Sequence, residues 1–372
     1  MITDPRNLRI VRAWLFTLWT AVWLMVVIGG ITRLTGSGLS IVEWRPVTGA
    51  LPPLTHAAWQ QAFEAYQRSP QYRLANHWMS LSDFQRIFFW EYVHRLWGRV
   101  LGLACLGPWL WLVLSKRLGG AQARRTGSIL LLGGLQGAVG WYMVASGLVH
   151  EPQVSHYRLA LHLLLGIGVG QWILWQALQT SALLAPATRA TDPAAVPASL
   201  RRLSLWLLPL LALQVTYGAF VAGMHAGFLS ATFPDMNGHY LPSAFFISGS
   251  PLHEAVSSPL AVHYLHRVLA GLVSVHIGVL CYRARRAPRA VRVRCMLLLG
   301  ALLLQLLLGV LTVVLHVPTL LAAAHQAGAY LLVSAALGLW HSFNATAEAR
   351  DDSQARDRDG GLAGSRQDLR RA

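Results

Sequence analysis

The stretch Trp90-Glu-Tyr-Val-His-Arg-Leu-Trp-Gly-Arg99 lies inside an apolar run that extends from about residue 86 to 114. Roughly 20 apolar residues carry a helix across a bilayer, so this run reads as a membrane span bearing a carboxylate, an imidazole and two guanidinium groups. Seven further runs have the same character, at about 13–32, 127–146, 157–180, 202–224, 261–282, 293–316 and 320–343. The run at 261–282 has Leu265-His-Arg-Val268 where the run at 86–114 has Val93-His-Arg-Leu96. The expected fold is an all-α membrane protein of eight transmembrane helices, built as two pseudo-symmetric four-helix bundles.

Composition agrees. Of the 372 residues, 54% are hydrophobic and 12% charged, against about 25% charged in a soluble domain. The formal net charge of +16 is concentrated in alternate connections. Arg6, Arg9 and Arg12 precede the first span, Lys116, Arg117, Arg124 and Arg125 follow the second, Arg189, Arg201 and Arg202 follow the fourth, and six arginines lie between Arg283 and Arg294. This is the positive-inside pattern, which places both termini in the cytoplasm and makes the charge a topology signal, with no nucleic-acid partner expected. The N-terminus, short and containing Asp4, does not read as a signal or transit peptide, so a bacterial inner membrane is the expected location. Cys105, Cys281 and Cys295 fall in or at the inner ends of spans, and no disulfide outside the cytoplasm is expected.

The outer connections run long (33–85), short (147–156), long (225–260) and short (317–319), which repeats every four spans. Gln136 and Gly140 on the third span correspond to Gln305 and Gly309 on the seventh. The expected organisation is an N-terminal half over 1–181, a linker rich in Ala, Pro and Thr over 182–200, a C-terminal half over 201–344 and a disordered tail over 345–372.

Four histidines stand at one depth, on the even-numbered spans. His94, His162, His266 and His325 each lie roughly 8–12 Å from the outer end of a span, at 1.5 Å per residue. A lone intramembrane histidine reads equally well as a packing residue bonded to a neighbouring helix; four related by a repeat favour a site. Two imidazoles in one bundle can hold the two faces of a haem. Histidine also suits zinc or copper, although two histidines without cysteine or carboxylate neighbours make an incomplete zinc site. Arg95 and Arg267 follow two of these histidines directly, and Arg158 stands one turn before a third. They are candidates for haem propionates, with lipid headgroups the plainer alternative. Other histidines, among them His56, His77, His150, His156, His225, His239 and His253, read as loop or interface residues, and His276, His316 and His341 have no repeat partner.

One carboxylate breaks the symmetry. Glu91 lies three residues before His94, on the same helix face, with Cβ atoms roughly 5–6 Å apart. His263 stands at the equivalent place in the second half. An ionisable group in a span is a functional candidate by default, so one reacting site and one electron-transfer site are expected. A salt bridge from Glu91 to Arg95, Arg99 or Arg158 is the structural alternative.

At these residues the chain resembles the haem A synthase family. The matching stretches are Gly29-Gly-Ile-Thr-Arg-Leu-Thr-Gly-Ser-Gly-Leu-Ser40, Glu91-Tyr-Val-His-Arg-Leu-Trp-Gly-Arg99, Gln136-Gly-Ala-Val-Gly140, Tyr157-Arg-Leu-Ala-Leu-His162, Gly218-Ala-Phe-Val-Ala-Gly223, Leu265-His-Arg-Val-Leu-Ala-Gly271 and Ala324-His-Gln-Ala-Gly328. The resemblance implies an oxidoreductase that converts the C8 methyl of haem O to a formyl group, giving haem A for terminal oxidases. It implies that His94 and His162 hold the substrate haem, that His266 and His325 hold a resident haem b as electron relay, and that Glu91 is the essential acid. Gly36-Ser-Gly-Leu-Ser40 has no cysteine, which resembles the cysteine-free proteobacterial and mitochondrial branch. Expected partners are haem O, the lipid bilayer, haem O synthase as supplier, and a second copy of the chain in a homo-oligomer. The rival expectations are a di-haem cytochrome b-like relay that alters no substrate, and a metal or haem transporter.

Overall fold

The computed structural model describes residues 4–44, 48–148, 152–185, 196–241 and 250–368, with the backbone alone for 344–368. His150, Arg189, most of the expected linker and the side chains of the expected tail lie outside the described residues. Ten α-helices form among the described residues: α1 Pro5–Leu34, α2 His56–Gln67, α3 Leu81–Leu114, α4 Gly120–Ala145, α5 His156–Leu184, α6 Ala198–Gly223, α7 Pro251–Ser257, α8 Pro259–Ala284, α9 Arg289–Val314 and α10 Thr319–Asp368. Eight of them are long and apolar enough to cross a membrane, all but α2 and α7, with α10 qualifying over Thr319–Phe343. No β-strand forms among the described residues.

Helix ends follow local chemistry. Asp4 caps α1 by accepting from the Arg6 N–H, with Pro5 in the first turn. Ser80 and Asp83 form a reciprocal capping box at the outer start of α3. α1, α3, α4, α6 and α9 begin several residues before their apolar runs do, whereas α5, α8 and α10 begin close to theirs.

The outer connections, legible in sequence only as long loops, contain short helices. Thr55 caps α2 by accepting from the Ala58 N–H. Trp59, Ala62, Phe63 and Tyr66 then recur at helical spacing and pack on Phe84 and Phe88 of α3. Tyr66 is wholly buried there. The pattern is readable, but at 12 residues α2 is short enough to need the tertiary face beneath it.

The halves, α1 with α3–α5 and α6 with α8–α10, have separate apolar cores. One gathers Leu15, Leu18, Leu112 and Ile173; the other gathers Leu207, Ile277, Leu298 and Phe343. The helices α1, α5, α6 and α10 meet between them. Buried fractions separate centre from periphery: 39% of the most apolar window is buried in α5 and in α10, against 6% in α4. Exposed Leu103, Leu131, Leu135, Leu297 and Leu303 on the outer helices suit a lipid solvent, which leaves no reason to hide them.

Candidate functional site

His94, His162, His266 and His325 stand on α3, α5, α8 and α10, and all four are half-buried. His94 on α3 and His162 on α5 belong to the first half. In the second half the His266 and His325 ring centres are 6.5 Å apart, with planes at 83°.

Each ring lies against a glycine of a neighbouring helix. A Cβ built on Gly29, Gly140, Gly218 or Gly309 would stand 3.2, 2.9, 3.1 or 2.8 Å from the ring of His94, His162, His266 or His325 respectively. The glycines are therefore a steric requirement of the arrangement. Carboxamides attend three of the rings. Gln136 donates to the His162 carbonyl at 3.0 Å, with its Nε2 3.2 Å from His162 Nδ1. Gln305 repeats this on His325 at 2.8 and 3.1 Å. Gln214 Nε2 is 3.2 Å from His266 Nδ1. The Gln136 and Gln305 pairing was legible as a repeat. Gln214 with Gly218 was missed, although the same Gln-x-x-x-Gly spacing recurs on α6.

Glu91 is buried, and three donors converge on it. Ser40 Oγ and the Ile41 N–H donate to Oε2 at 2.7 and 2.8 Å, and Arg95 Nη2 donates to Oε1 at 2.7 Å. Of the ion-pair partners expected from sequence, Arg95 is the one observed at salt-bridge distance. Arg95 also donates to the Ile41 and Glu43 carbonyls at 2.8 and 3.0 Å. The carboxylate thus ties the loop after α1 to α3. In the second half Arg267 donates to the Thr232 and Asp235 carbonyls at 2.9 and 2.7 Å and through Nε to His263 at 3.3 Å. Arg158 donates to the Tyr142 carbonyl at 2.9 Å and stacks over that ring. The three arginines expected to meet propionates are thus engaged, two of them by outer-loop carbonyls. Elsewhere, His276 bonds the Leu203 carbonyl, and His156 that of Val256.

The donor set can be tested against haem and against zinc. Two imidazoles on one iron, each with a metal–nitrogen bond of about 2 Å and roughly 1.1 Å from nitrogen to ring centre, place the ring centres about 6.3 Å apart. The 6.5 Å between His266 and His325 fits that span. Among the described residues no group of three or more His, Cys, Asp or Glu side chains gathers, so a closed four-ligand zinc site has no ligand set here.

Fold and site together define a multi-pass helical membrane protein with two histidine pairs at internally repeated positions. The family model described as cytochrome oxidase assembly protein (COX15-CtaA) matches residues 12–337, and the chain belongs to that family. It is similar to proteins named "Heme A synthase" from Nitrosospira multiformis, 42% identical over 89% of this chain and 92% of that protein. Those from Sphingopyxis alaskensis and Rhodopseudomonas palustris are 40% and 44% identical, each over 88% of this chain and over 90% and 89% of their own lengths.

Proposed function

We propose that this chain is a haem A synthase of a bacterial inner membrane, an oxidoreductase that takes the C8 methyl of haem O through hydroxylated intermediates to a formyl group. The observation that supports this most is the asymmetry of the repeat. Two histidine pairs share their glycine notches, but the first has a buried carboxylate, Glu91, one turn before its leading histidine where the second has His263; the buried carboxylate of the second half, Glu254, lies on α7 outside the spans. The names of the relatives agree.

In this reading His94 and His162 hold haem O as substrate and orient its reacting edge, and His266 and His325 hold haem b. Bound there, haem b would supply a one-electron redox centre, and the oxidation needs an electron acceptor outside the chain. Glu91, fixed by Ser40, Ile41 and Arg95, presents negative charge beside His94. It stabilises positive charge that develops at the oxidised carbon, or takes the proton released there. Arg158, with one hydrogen bond to exchange, is the most available of the three arginines for a propionate; Arg95 and Arg267 add cationic charge while holding the loops. The first outer loop has no cysteine, and Cys105, Cys281 and Cys295 are unpaired thiols in helices, so we place the chain in the branch that uses no loop thiol. Haem O synthase as supplier and a homo-oligomeric assembly complete the proposal.

The test is Glu91→Gln, which keeps the shape of the latch and removes its charge. Haem b remains bound and haem A formation falls at least a hundredfold, by extraction of haems from membranes. Undiminished haem A sinks the proposal. Haem B alone in the wild-type protein, in cells that make haem O, would favour a di-haem relay.

A further inference from the structure

Three of the four histidines have a glutamine one turn before their glycine: Gln136 with Gly140, Gln214 with Gly218, and Gln305 with Gly309. At the fourth, Met25 precedes Gly29. Among the described residues no hydrogen bond holds the His94 ring. His162 has the Gln136 carboxamide. His266 and His325 have the carboxamides of Gln214 and Gln305. This support therefore separates His94, which has none, from the other three.

The carboxamides have an unused half. Oε1 of Gln136, Gln214 and Gln305 is buried with no hydrogen-bond partner among the described residues. A buried acceptor left empty costs about 1–3 kcal/mol, and three equivalent ones at three equivalent positions call for a common cause. An imidazole bound to metal through one nitrogen carries its proton on the other, and that N–H is nearly always given to an acceptor that fixes the ring and raises its basicity. Nδ1 accepts from the glutamine Nε2 as observed; with its proton on Nδ1, each ring would instead turn to give that N–H to the waiting Oε1.

We propose that Gln136, Gln214 and Gln305 are positioning residues that lock the imidazoles of His162, His266 and His325, and that Met25, unable to do the same, leaves His94 as the axial ligand that lets go. The consequence deepens the function proposed above and rests on it. The resident haem is held at both faces. The substrate haem is held at one face by His162 and exchanged at the other through His94, so that haem O enters and haem A leaves without disturbing the second site.

The experiment uses the full chain, purified with its haems and mixed with excess apoglobin as scavenger, reading the rate of haem loss together with the midpoint potential of the low-spin haem. Wild type loses one haem fast and one slowly. Met25→Gln slows the fast phase tenfold or more and leaves the slow phase alone, a control that the variant is folded. Gln305→Leu accelerates the slow phase by about 10–100-fold, the usual effect of losing such a partner, and raises the potential, because a less basic imidazole favours ferrous iron. Gln305→Glu restores retention and lowers the potential below wild type, which no merely space-filling role predicts. A fast phase unchanged in Met25→Gln, or a potential unmoved in both Gln305 variants, overturns the inference. Wild-type protein with no bis-histidine haem overturns the underlying function instead.

Discussion

Arg95 and Arg267 stand at corresponding positions and perform the same mechanical task, each carrying the loop that follows the first helix of its half on a fan of guanidinium donors. What answers them differs. Arg95 is also the cation of a buried pair, with its side chain 14% exposed and that of Glu91 4%, whereas Arg267 meets a histidine. Removing one member of a buried pair strands the other, at about 3–5 kcal/mol; removing Arg267 leaves carbonyls and a neutral histidine nitrogen, at about 1–3 kcal/mol. Arg95→Leu therefore lowers the midpoint of thermal unfolding in detergent more than Arg267→Leu does, and the reverse order would show that Glu91 does not depend on Arg95. Of this cluster, the one-turn spacing of Glu91, His94 and Arg95 was legible in sequence. The bonds from Ser40 and Ile41 were not, because roughly 50 residues of chain separate them from Glu91 and nothing local specifies that return.

Among the elements, the outer connections differ most from their sequence appearance. The chain leaves α6 through His225, whose backbone is left-handed at φ 54°, and turns into the segment that Arg267 holds. Burial, and then the nearby charge of Arg33, push the His225 imidazole below its ordinary pKa of 6.5. The folded state thus binds its proton less well than the unfolded chain does, so the linked stability is present above about pH 6.5 and is lost as the pH falls below it. Hydrogen exchange of residues 226–241 should accelerate on acidification from pH 7.5 to 5.5. His225→Asn, which tolerates the left-handed backbone but does not titrate, should flatten that dependence. A wild-type rate that follows only intrinsic exchange chemistry would refute it.

For the molecule as a whole, the question is what registers one half against the other. Trp23 donates to the Ala327 carbonyl at 3.2 Å, Gln326 to that of Val26 at 2.8 Å, and the wholly buried Tyr330 to that of Trp19 at 3.3 Å. Tyr330 lies over Gly170 of α5 so closely that a Cβ there would collide with its phenol. Gly170→Val should cost about 1–3 kcal/mol by overpacking and displace α10, which also carries His325. The expected readout is a lower unfolding temperature together with a loss of haem b, while Gly168→Val, with open space at its Cβ position, changes neither. Equal behaviour of the two variants would mean that the halves register elsewhere.

Eight spans, the repeat and the matching placement of the four histidines along their spans are determined by the chain alone, because hydropathy and helical rise act locally and are read one segment at a time. Only the tertiary structure decides which glycine each histidine rests on, that Glu91 is bound by a distant loop, and that His94 meets no glutamine where the other three histidines do. Those depend on which helix faces meet. Between apolar helices in lipid no hydrophobic force selects the face, so small residues and a few buried polar bonds make the choice, and these become legible only when the helices are packed.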